Sequence, residues 1–379
     1  MGLNLDAADF PTSKRVIYFS TASIGLVPTF VIDKAAKFLT EISLGGTIAL
    51  DEEREEGIYE TIREKGSKLL KCHSNDIAVF NCVSEAINAM AWSSKIKDGT
   101  VVSIGHEFPS VTYPWMRLAS ERALAVDLIE SSDWIVPENQ ILERIDDQTK
   151  LVVFSHVEYL TGQRFNLREI ANACHEVGAL FIVDGIQAAG TMPLDVEKWD
   201  VDAYITGSYK FLCAPFGSAI AYISKRYYEE INPAFVGWRT RENMWKFEPM
   251  ELTYAPAARK FEYGTSAYVA KLAFGESLGY FLKIGVRNIE QHNKRLVELL
   301  LDELNKMESV EIISPEERGS IVSFKVKSHN LRDINARLRK LERPVELNIR
   351  EPMLRVSLHL YNSENDVLTF IQELKRILP

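Results

Sequence analysis

Short apolar runs recur through the first two thirds of the chain and predict the strands of a buried sheet. Seven of them are apolar at successive rather than alternate positions: 77–80, 101–105, 125–129, 151–154, 180–183, 203–206 and 219–223. Such runs are typical of strands that are covered on both faces. Helical periodicity separates many of them, at 84–94, 112–121 and 167–177. The alternation predicts an α/β layered domain with a largely parallel sheet.

The pattern changes after about residue 265. Two long helical stretches follow, at 267–283 and 286–306. The remainder alternates shorter segments, with strands near 310–314, 320–325, 344–349 and 354–359 and helices near 332–341 and 364–377. We therefore expect a smaller α+β domain at the C-terminus. The predicted division is an N-terminal segment at 1–20, a large domain at 21–265 and a small domain at 266–379.

Composition and charge narrow the function. The 379 residues include 44 basic and 53 acidic side chains, a formal net charge of −9. An acidic balance argues against a nucleic-acid binder and against anionic membranes, and no apolar run approaches the roughly 18 residues that a membrane helix needs. The four cysteines are widely spaced and form no CxxC pair, which favours reduced thiols in a cytoplasmic protein. No HExxH, paired-His, GxGxxG or GxxxxGK[ST] motif is present, so we expect neither a metal site nor a nucleotide-binding loop.

Candidate chemistry follows the ends of four apolar runs. Ligands in parallel α/β sheets bind beyond the carboxyl ends of the strands, and there the chain carries Ser84, Phe108, Asp184 and Lys210. Each residue alone has a plain structural explanation: a helix N-cap, a core aromatic ring, an Asp-Gly turn and a surface lysine. Together, in this order, they specify pyridoxal phosphate, which needs a lysine for a Schiff base and an acid opposite its ring nitrogen.

The segment 183–217 carries D-x-x-Q and then S-x-K, and it resembles the signature of the class V aminotransferase family of fold-type-I pyridoxal-phosphate enzymes. The resemblance implies that family's fold, a three-layer α/β large domain with a mainly parallel sheet and a smaller α+β domain. It also assigns five residues to the cofactor. Lys210 forms the Schiff base, Asp184 pairs with the pyridine nitrogen, and Gln187 approaches the ring hydroxyl. Ser208 contacts the phosphate, and Tyr209 stands beside it at a position where relatives often have Gln or His.

Three further segments are similar to cofactor-binding elements of the family. The sequence CVSEAIN at 82–88 resembles the phosphate loop and implies that Val83 and Ser84 contact the phosphate. The segment 106–115 resembles the one that supplies the residue stacked on the ring, here Phe108. The segment 155–167 resembles the one whose polar side chain lies near the ring hydroxyl, which assigns Tyr159 to the cofactor at the position where cysteine desulfurases have asparagine.

Two last segments resemble elements that bind substrate and join subunits. FEYGTSA at 261–267 resembles the stretch whose threonine crosses a dimer interface, which implies a homodimer with shared active sites and assigns Thr265 to the partner's phosphate. The segment 353–367 resembles R-x-S-x-x-x-Y-N and implies that Arg355 binds the carboxylate of an amino-acid substrate. On residue pattern alone, Arg355 would be a solvent-facing side chain on a half-exposed strand.

The type of reaction remains open at this stage. The desulfurase branch places a nucleophilic cysteine shortly before the carboxylate-binding arginine, whereas 342–354 contains none, and Phe108 replaces the histidine over the ring. The chain looks closest to isopenicillin N epimerase-like and cysteine desulfurase-like members. We rank a class V aminotransferase first and an amino-acid epimerase second, with Tyr159 or Tyr209 as the second proton donor. A desulfurase or lyase and an inactive interaction protein are the remaining alternatives.

Overall fold

A computed structural model describes residue 3, residue 6 and residues 8–131, 133–327 and 329–378. In these residues the strands are β1 (Ile17–Tyr18), β2 (Ile77–Phe80), β3 (Asp98–Ile104), β4 (Ala123–Ile129), β5 (Thr149–Ser155), β6 (Leu180–Asp184), β7 (Ala203–Gly207), β8 (Ala219–Ile223), β9 (Val310–Ile312), β10 (Ile321–Val326), β11 (Val345–Glu346), β12 (Asn348–Arg350) and β13 (Met353–Ser357). The α-helices are α1 (Thr29–Gly45), α2 (Glu52–Leu70), α3 (Val83–Ser93), α4 (Pro109–Ala119), α5 (Glu138–Leu142), α6 (Leu167–Glu176), α7 (Val196–Trp199), α8 (Lys225–Glu230), α9 (Tyr268–Ile284), α10 (Val286–Leu304), α11 (Leu331–Leu338) and α12 (Glu364–Ile377).

The central sheet has seven strands in the order β2-β8-β7-β6-β5-β3-β4. Strands β3 to β7 pair in parallel, and β8 is antiparallel to both of its neighbours. Because β8 is antiparallel to both β7 and β2, β2 runs in the same direction as β7. The predicted α/β fold with a mainly parallel sheet is confirmed, and all seven predicted strands are present.

Both faces of this sheet are buried, which explains why its strands are continuously apolar. Along β5, Val152 and Phe154 pack into one core cluster, whereas Leu151 and Val153 pack into another. Successive side chains of a strand point to opposite faces, so a strand between two helical layers needs apolar residues at every position.

A second, antiparallel sheet in the order β12-β13-β10-β9 carries the C-terminal part of the chain. A separate core lies beside it, with side chains from α10, α11 and α12. Ile17 and Phe19 join that core, and β1 pairs with β11. Phe10 and Ala22 pack into a core of the central sheet, so the N-terminal segment contributes to both parts. Helix α9 packs against α1 and α2. The division at 1–20, 21–265 and 266–379 stays a prediction.

Two local differences from the sequence analysis have clear causes. Helix α4 begins at Pro109, three residues before the predicted 112, because proline is well suited to the first turn of a helix. Helices α1 and α2 precede the first predicted strand. The start of α2 is well marked, since the side chain of Asp51 accepts the Arg54 amide and acidic residues fill the first turn.

The described residues contain no helix that is both long and apolar enough to cross a membrane.

Candidate active site

The site lies at the edge of the sheet where its parallel strands end. The strands β7, β6, β5 and β3 are consecutive neighbours in the sheet, so their carboxyl ends adjoin although they are far apart in sequence. Asp184 and Ser155 close β6 and β5 and are paired in register. Lys210 follows β7, and Glu107 follows β3. Because β2 shares their direction, helix α3 begins at this edge as well.

Lys210 is a buried amine rather than a surface lysine. Only 6% of the residue is exposed, and its Nζ lies 5.5 Å from the centre of the Phe108 ring and 5.8 Å from that of Tyr209. Burial lowers the pKa of Lys210 to about 8, with Asp184 opposing the shift and Arg355 and Arg350 adding to it. A lysine with a lowered pKa is a nucleophile near neutral pH.

Asp184 provides the negative charge opposite this amine. It is 3% exposed, and its Oδ1 accepts a 2.9 Å hydrogen bond from the Ile186 amide. Its carbonyl oxygen accepts the His156 amide, which ties the end of β6 to the segment after β5. Burial raises the pKa of Asp184 to about 6, while the Ile186 amide and the charge of Lys210 act against the increase. A cation held at the second carboxylate oxygen would favour the ionised form.

Glu107 is a site residue that the sequence analysis missed. Its carboxylate accepts hydrogen bonds from the Phe108 amide at 2.6 Å, the Ser155 amide at 2.6 Å and the Ser155 hydroxyl at 2.7 Å. Burial raises the pKa of Glu107 to about 7, although these three hydrogen bonds favour the charged form. Glu107 therefore holds the backbone of Phe108 against the end of β5. The available signal was a charged residue two positions after the apolar run 101–105.

Phe108 and Tyr159 form an aromatic pair beside Lys210. Their ring centres are 5.3 Å apart in an edge-to-face arrangement. Phe108 is 40% exposed, so it is not the core residue that its sequence context also allowed. The carbonyl oxygen of Tyr159 accepts a 2.6 Å hydrogen bond from Arg355. Tyr159 thus links the aromatic pair to the predicted substrate-binding arginine.

Gln187 lies at the same edge of the central sheet, and its side-chain oxygen is available as a hydrogen-bond acceptor. Its Nε2 donates to the carbonyl oxygen of Ala22 at 3.1 Å, whereas its Oε1 is buried with no hydrogen-bond partner in the described residues. A buried polar atom without a partner is costly, so a hydroxyl donor at this position would be stabilised.

The predicted phosphate loop needs one correction. The N-cap of α3 is Cys82, whose sulfur accepts the Glu85 amide, so Ser84 lies within the first turn instead of capping the helix. The Ser84 hydroxyl donates to Ser110 Oγ at 2.8 Å, and Val83 is buried beneath it. Both residues remain near a helix N-terminus, where amide groups and the helix dipole favour an anion.

Three other residues predicted to bind the cofactor have partners of their own in this chain. The Ser208 hydroxyl donates to the Pro215 carbonyl at 2.6 Å, and the Tyr209 ring centre lies 4.7 Å from that of Phe216. Thr265 is exposed and its hydroxyl oxygen accepts the indole N–H of Trp238 at 3.1 Å. The structure describes no contact between Thr265 and Lys210. The phosphate roles of Ser208 and Thr265, and the cofactor contact of Tyr209, stay predictions.

Arg355 is fully buried, so the solvent-facing alternative is wrong. Both faces of β13 are covered, and the guanidinium donates to Tyr159 O, to Ser23 Oγ at 2.8 Å and to Asn348 Oδ1 at 2.9 Å. Burial, with a smaller effect from the charge of Arg350, lowers the pKa of Arg355 to about 9. Its Nε has no partner in the described residues, so the group keeps a donor for a carboxylate.

These side chains fit pyridoxal phosphate. The described residues bring together an amine for the aldehyde, a carboxylate for the ring nitrogen, an unused buried oxygen for the ring hydroxyl and a helix N-terminus for the phosphate. They include no cluster of His, Cys, Asp and Glu that could hold a metal ion. The four cysteines are free, and burial raises the pKa of Cys72, Cys174 and Cys213 above that of an ordinary thiol.

Comparisons with known proteins agree with this assignment. The family model described as aminotransferase class V matches residues 17–370. A probable cysteine desulfurase of Pyrococcus abyssi is 26% identical, covering 98% of this chain and 96% of that protein. The uncharacterized aminotransferase YcbU of Bacillus subtilis is 27% identical, covering 83% and 82%.

The similarity extends to solved structures. The apo cysteine desulfurase of Thermococcus onnurineus superposes with a TM-score of 0.87 at 24% identity, covering 98% of this chain and 97% of that one. A C-DES variant with glycine covalently linked to its pyridoxal phosphate gives 0.90 at 22% identity, covering 98% and 99%. At these identities the structures support the fold.

The electrostatic coupling of Lys210 and Asp184 can be tested in the cofactor-free protein. Asp184 raises the pKa of Lys210, so Asp184→Asn should lower it further below about 8 while keeping an acceptor for the Ile186 amide. Acetic anhydride modifies only neutral amines, and peptide mass spectrometry against pH would give the midpoint at Lys210, with the exposed Lys37 as the internal reference. A midpoint near that of an ordinary lysine, about 10.4, or one that the substitution leaves unchanged, would contradict the coupling.

Proposed function

Because the chain belongs to the class V aminotransferase family and has pyridoxal phosphate as its cofactor, we propose that it cleaves the carbon–sulfur bond of S-substituted amino acids. In this proposal no persulfide forms on an enzyme cysteine. The sulfur leaves as part of a small molecule. The single observation that carries the proposal is a desulfurase-like chain with no cysteine in the segment 342–354, directly before Arg355.

The relatives point to carbon–sulfur chemistry, and the cysteine positions limit how it could occur. Several curated relatives across nearly the whole chain are named cysteine desulfurases. The segment 342–354 contains no cysteine. Of the four cysteines, Cys82 is the exposed one, and it caps α3 on the predicted phosphate side of the site. A lyase that releases the sulfur directly needs no such thiol. This proposal therefore places a lyase ahead of the aminotransferase that the sequence favoured.

The proposed roles follow from the site's chemistry. Pyridoxal phosphate, when bound, forms a covalent bond to an amine and withdraws electrons from its Cα. Arg355 would bind the α-carboxylate and orient the substrate. Lys210 Nζ, whose pKa is lowered to about 8, would accept the Cα proton. Asp184 would hold a proton on the ring nitrogen through its charge, and Phe108 and Tyr159 would cover the reacting groups from water.

The overall reaction is a β-elimination. The Cα–H and Cβ–S bonds break, the sulfur leaves with the bonding electron pair and takes up a proton as a thiol, and one water molecule is consumed. An S-substituted cysteine then yields a thiol, pyruvate and ammonium. No oxidant, reductant or second substrate is needed.

Transamination is the second candidate, supported by the Bacillus subtilis relative that is named an aminotransferase. It would begin with the same proton transfer to Lys210 but would need a 2-oxo acid as acceptor. Epimerisation stays a prediction. Burial raises the pKa of Tyr159 and of Tyr209, which keeps either phenol protonated as a proton donor would need to be.

Product analysis separates these reactions. The protein loaded with pyridoxal phosphate should release pyruvate and ammonium in equal amounts from a panel of S-substituted L-cysteines, with and without an added 2-oxo acid. Lys210→Ala should reduce the rate by about 10²–10⁴-fold, since it removes the proton acceptor. The exposed Lys225→Ala is the matched control. Amino transfer to the 2-oxo acid without pyruvate from the cysteines would replace the lyase with an aminotransferase.

We also propose a homodimer with shared sites, in which Thr265 contacts the partner's cofactor phosphate. Several exposed apolar side chains lie in the segment around Trp238, namely Phe235, Val236, Phe247, Met250 and Leu252. Such a patch is typical of a protein interface. The indole of Trp238 donates to Thr265, which places this threonine at the patch. The small-molecule amino-acid substrate and the cytoplasmic location expected from the sequence also stay predictions.

Subunit sharing predicts a specific defect in cofactor binding. Thr265→Ala should weaken pyridoxal phosphate binding by about tenfold or more, because a hydrogen bond to a charged group is lost. Thr265→Ser should retain most of the affinity. Titration of the cofactor-free protein would measure this, with Thr253→Ala as a control on another exposed threonine. A protein that sediments as a monomer and still retains its cofactor would contradict the proposal.

A further inference from the structure

A second arginine, Arg350, lies beside Arg355 on the small sheet. The antiparallel register of β12 and β13 places Asn348 opposite Arg355. Arg350 is two residues from Asn348, so both project from the same face of β12. Ser23 Oγ accepts hydrogen bonds from both arginines, at 3.3 Å from Arg350 and at 2.8 Å from Arg355. The two guanidinium groups are therefore close neighbours.

Neither of these arginines forms an ion pair with a carboxylate of the described residues. The buried Arg63 and Arg239 do form such pairs, with Glu262 and with Glu55 and Glu56. Glu158 is close enough to Arg355 to influence it, but its carboxylate is already bound by the Leu160 and Thr161 amides and the Thr161 hydroxyl.

The charge of Arg350 acts on the site without being neutralised. It contributes to the low pKa of Arg355 and of Lys210, so the partly exposed Arg350 and these two buried groups repel one another. The Nε of Arg350 is itself buried and has no hydrogen-bond partner in the described residues. Asp184 offsets the charge of Lys210, but neither arginine has a carboxylate partner in the described residues, so this arrangement favours a ligand with more than one negative charge.

One α-carboxylate accounts for Arg355 and leaves Arg350 unmatched. Resting on the proposed function, we propose that Arg350 forms a subsite for a second carboxylate, so that the substrate is an amino acid with a carboxylate at the end of its side chain. Arg355 is already oriented by Tyr159 O, Ser23 and Asn348. The planar guanidinium of Arg350 can donate two hydrogen bonds to one carboxylate, and it makes fewer hydrogen bonds within the chain than Arg355 does.

Calorimetry on the protein loaded with pyridoxal phosphate tests this subsite without turnover. Glutarate and valerate have the same carbon chain, but only glutarate has a second carboxylate. At equal ionic strength, glutarate should bind at least about tenfold more tightly than valerate. Arg350→Met should abolish this difference and leave valerate binding unchanged. Arg350→Lys should retain part of it, because the charge remains without the planar guanidinium.

Arg332→Met is the matched control, since Arg332 is an exposed arginine of the same part of the chain, with a side chain that is 82% accessible. Retained cofactor absorbance shows that each variant is folded. Equal affinities in the unmodified protein would overturn the subsite. So would an Arg350→Met variant that weakens valerate as much as glutarate, because both arginines would then bind one carboxylate. Glutarate selectivity without pyruvate release would uphold the subsite and refute the lyase, so the two failures are distinguishable.

Discussion

The attraction between Asp184 and Lys210 is the interaction on which the site depends. Each group is almost completely removed from water, and burial alone disfavours the charged form of both. Their opposite charges offset part of that cost because β6 and β7 are neighbours in the sheet and end at the same edge. The order of the strands is therefore what allows a nucleophilic amine and a carboxylate to persist in a buried region.

The N-terminal segment connects this pair with the small sheet. The Ala22 carbonyl accepts Gln187, Ser23 accepts Arg355, and the Gly25 amide donates to the Tyr209 carbonyl at 2.8 Å. A Cβ at Gly25 would collide with the carbonyl oxygen of Lys210, which explains glycine at this position. One stretch of four residues thus contacts both the cofactor-binding and the substrate-binding groups, so these two parts of the site are not independent.

Much of this arrangement could be predicted from the sequence, because its strongest signals are local. Continuous apolar runs identified the seven strands, and the order of Ser84, Phe108, Asp184 and Lys210 after four of them indicated the cofactor. The burial of Arg355 could not be predicted from alternation along β13, since the covering side chains come from distant segments. Glu107 and Arg350 were missed for the same reason. Their importance comes from contacts to Ser155 and Ser23, which no spacing in the sequence encodes.

The most direct test of this account is the position of the lysine that carries the cofactor. The protein should be loaded with pyridoxal phosphate, reduced with borohydride to make the attachment permanent, and digested for peptide mass mapping. The account predicts modification at Lys210. Lys271 is the informative competitor, because it is also buried, its pKa is lowered to about 8 and it donates to Asn81 near the start of α3. Modification at Lys271, or none at Lys210 after loading, would contradict the assignment.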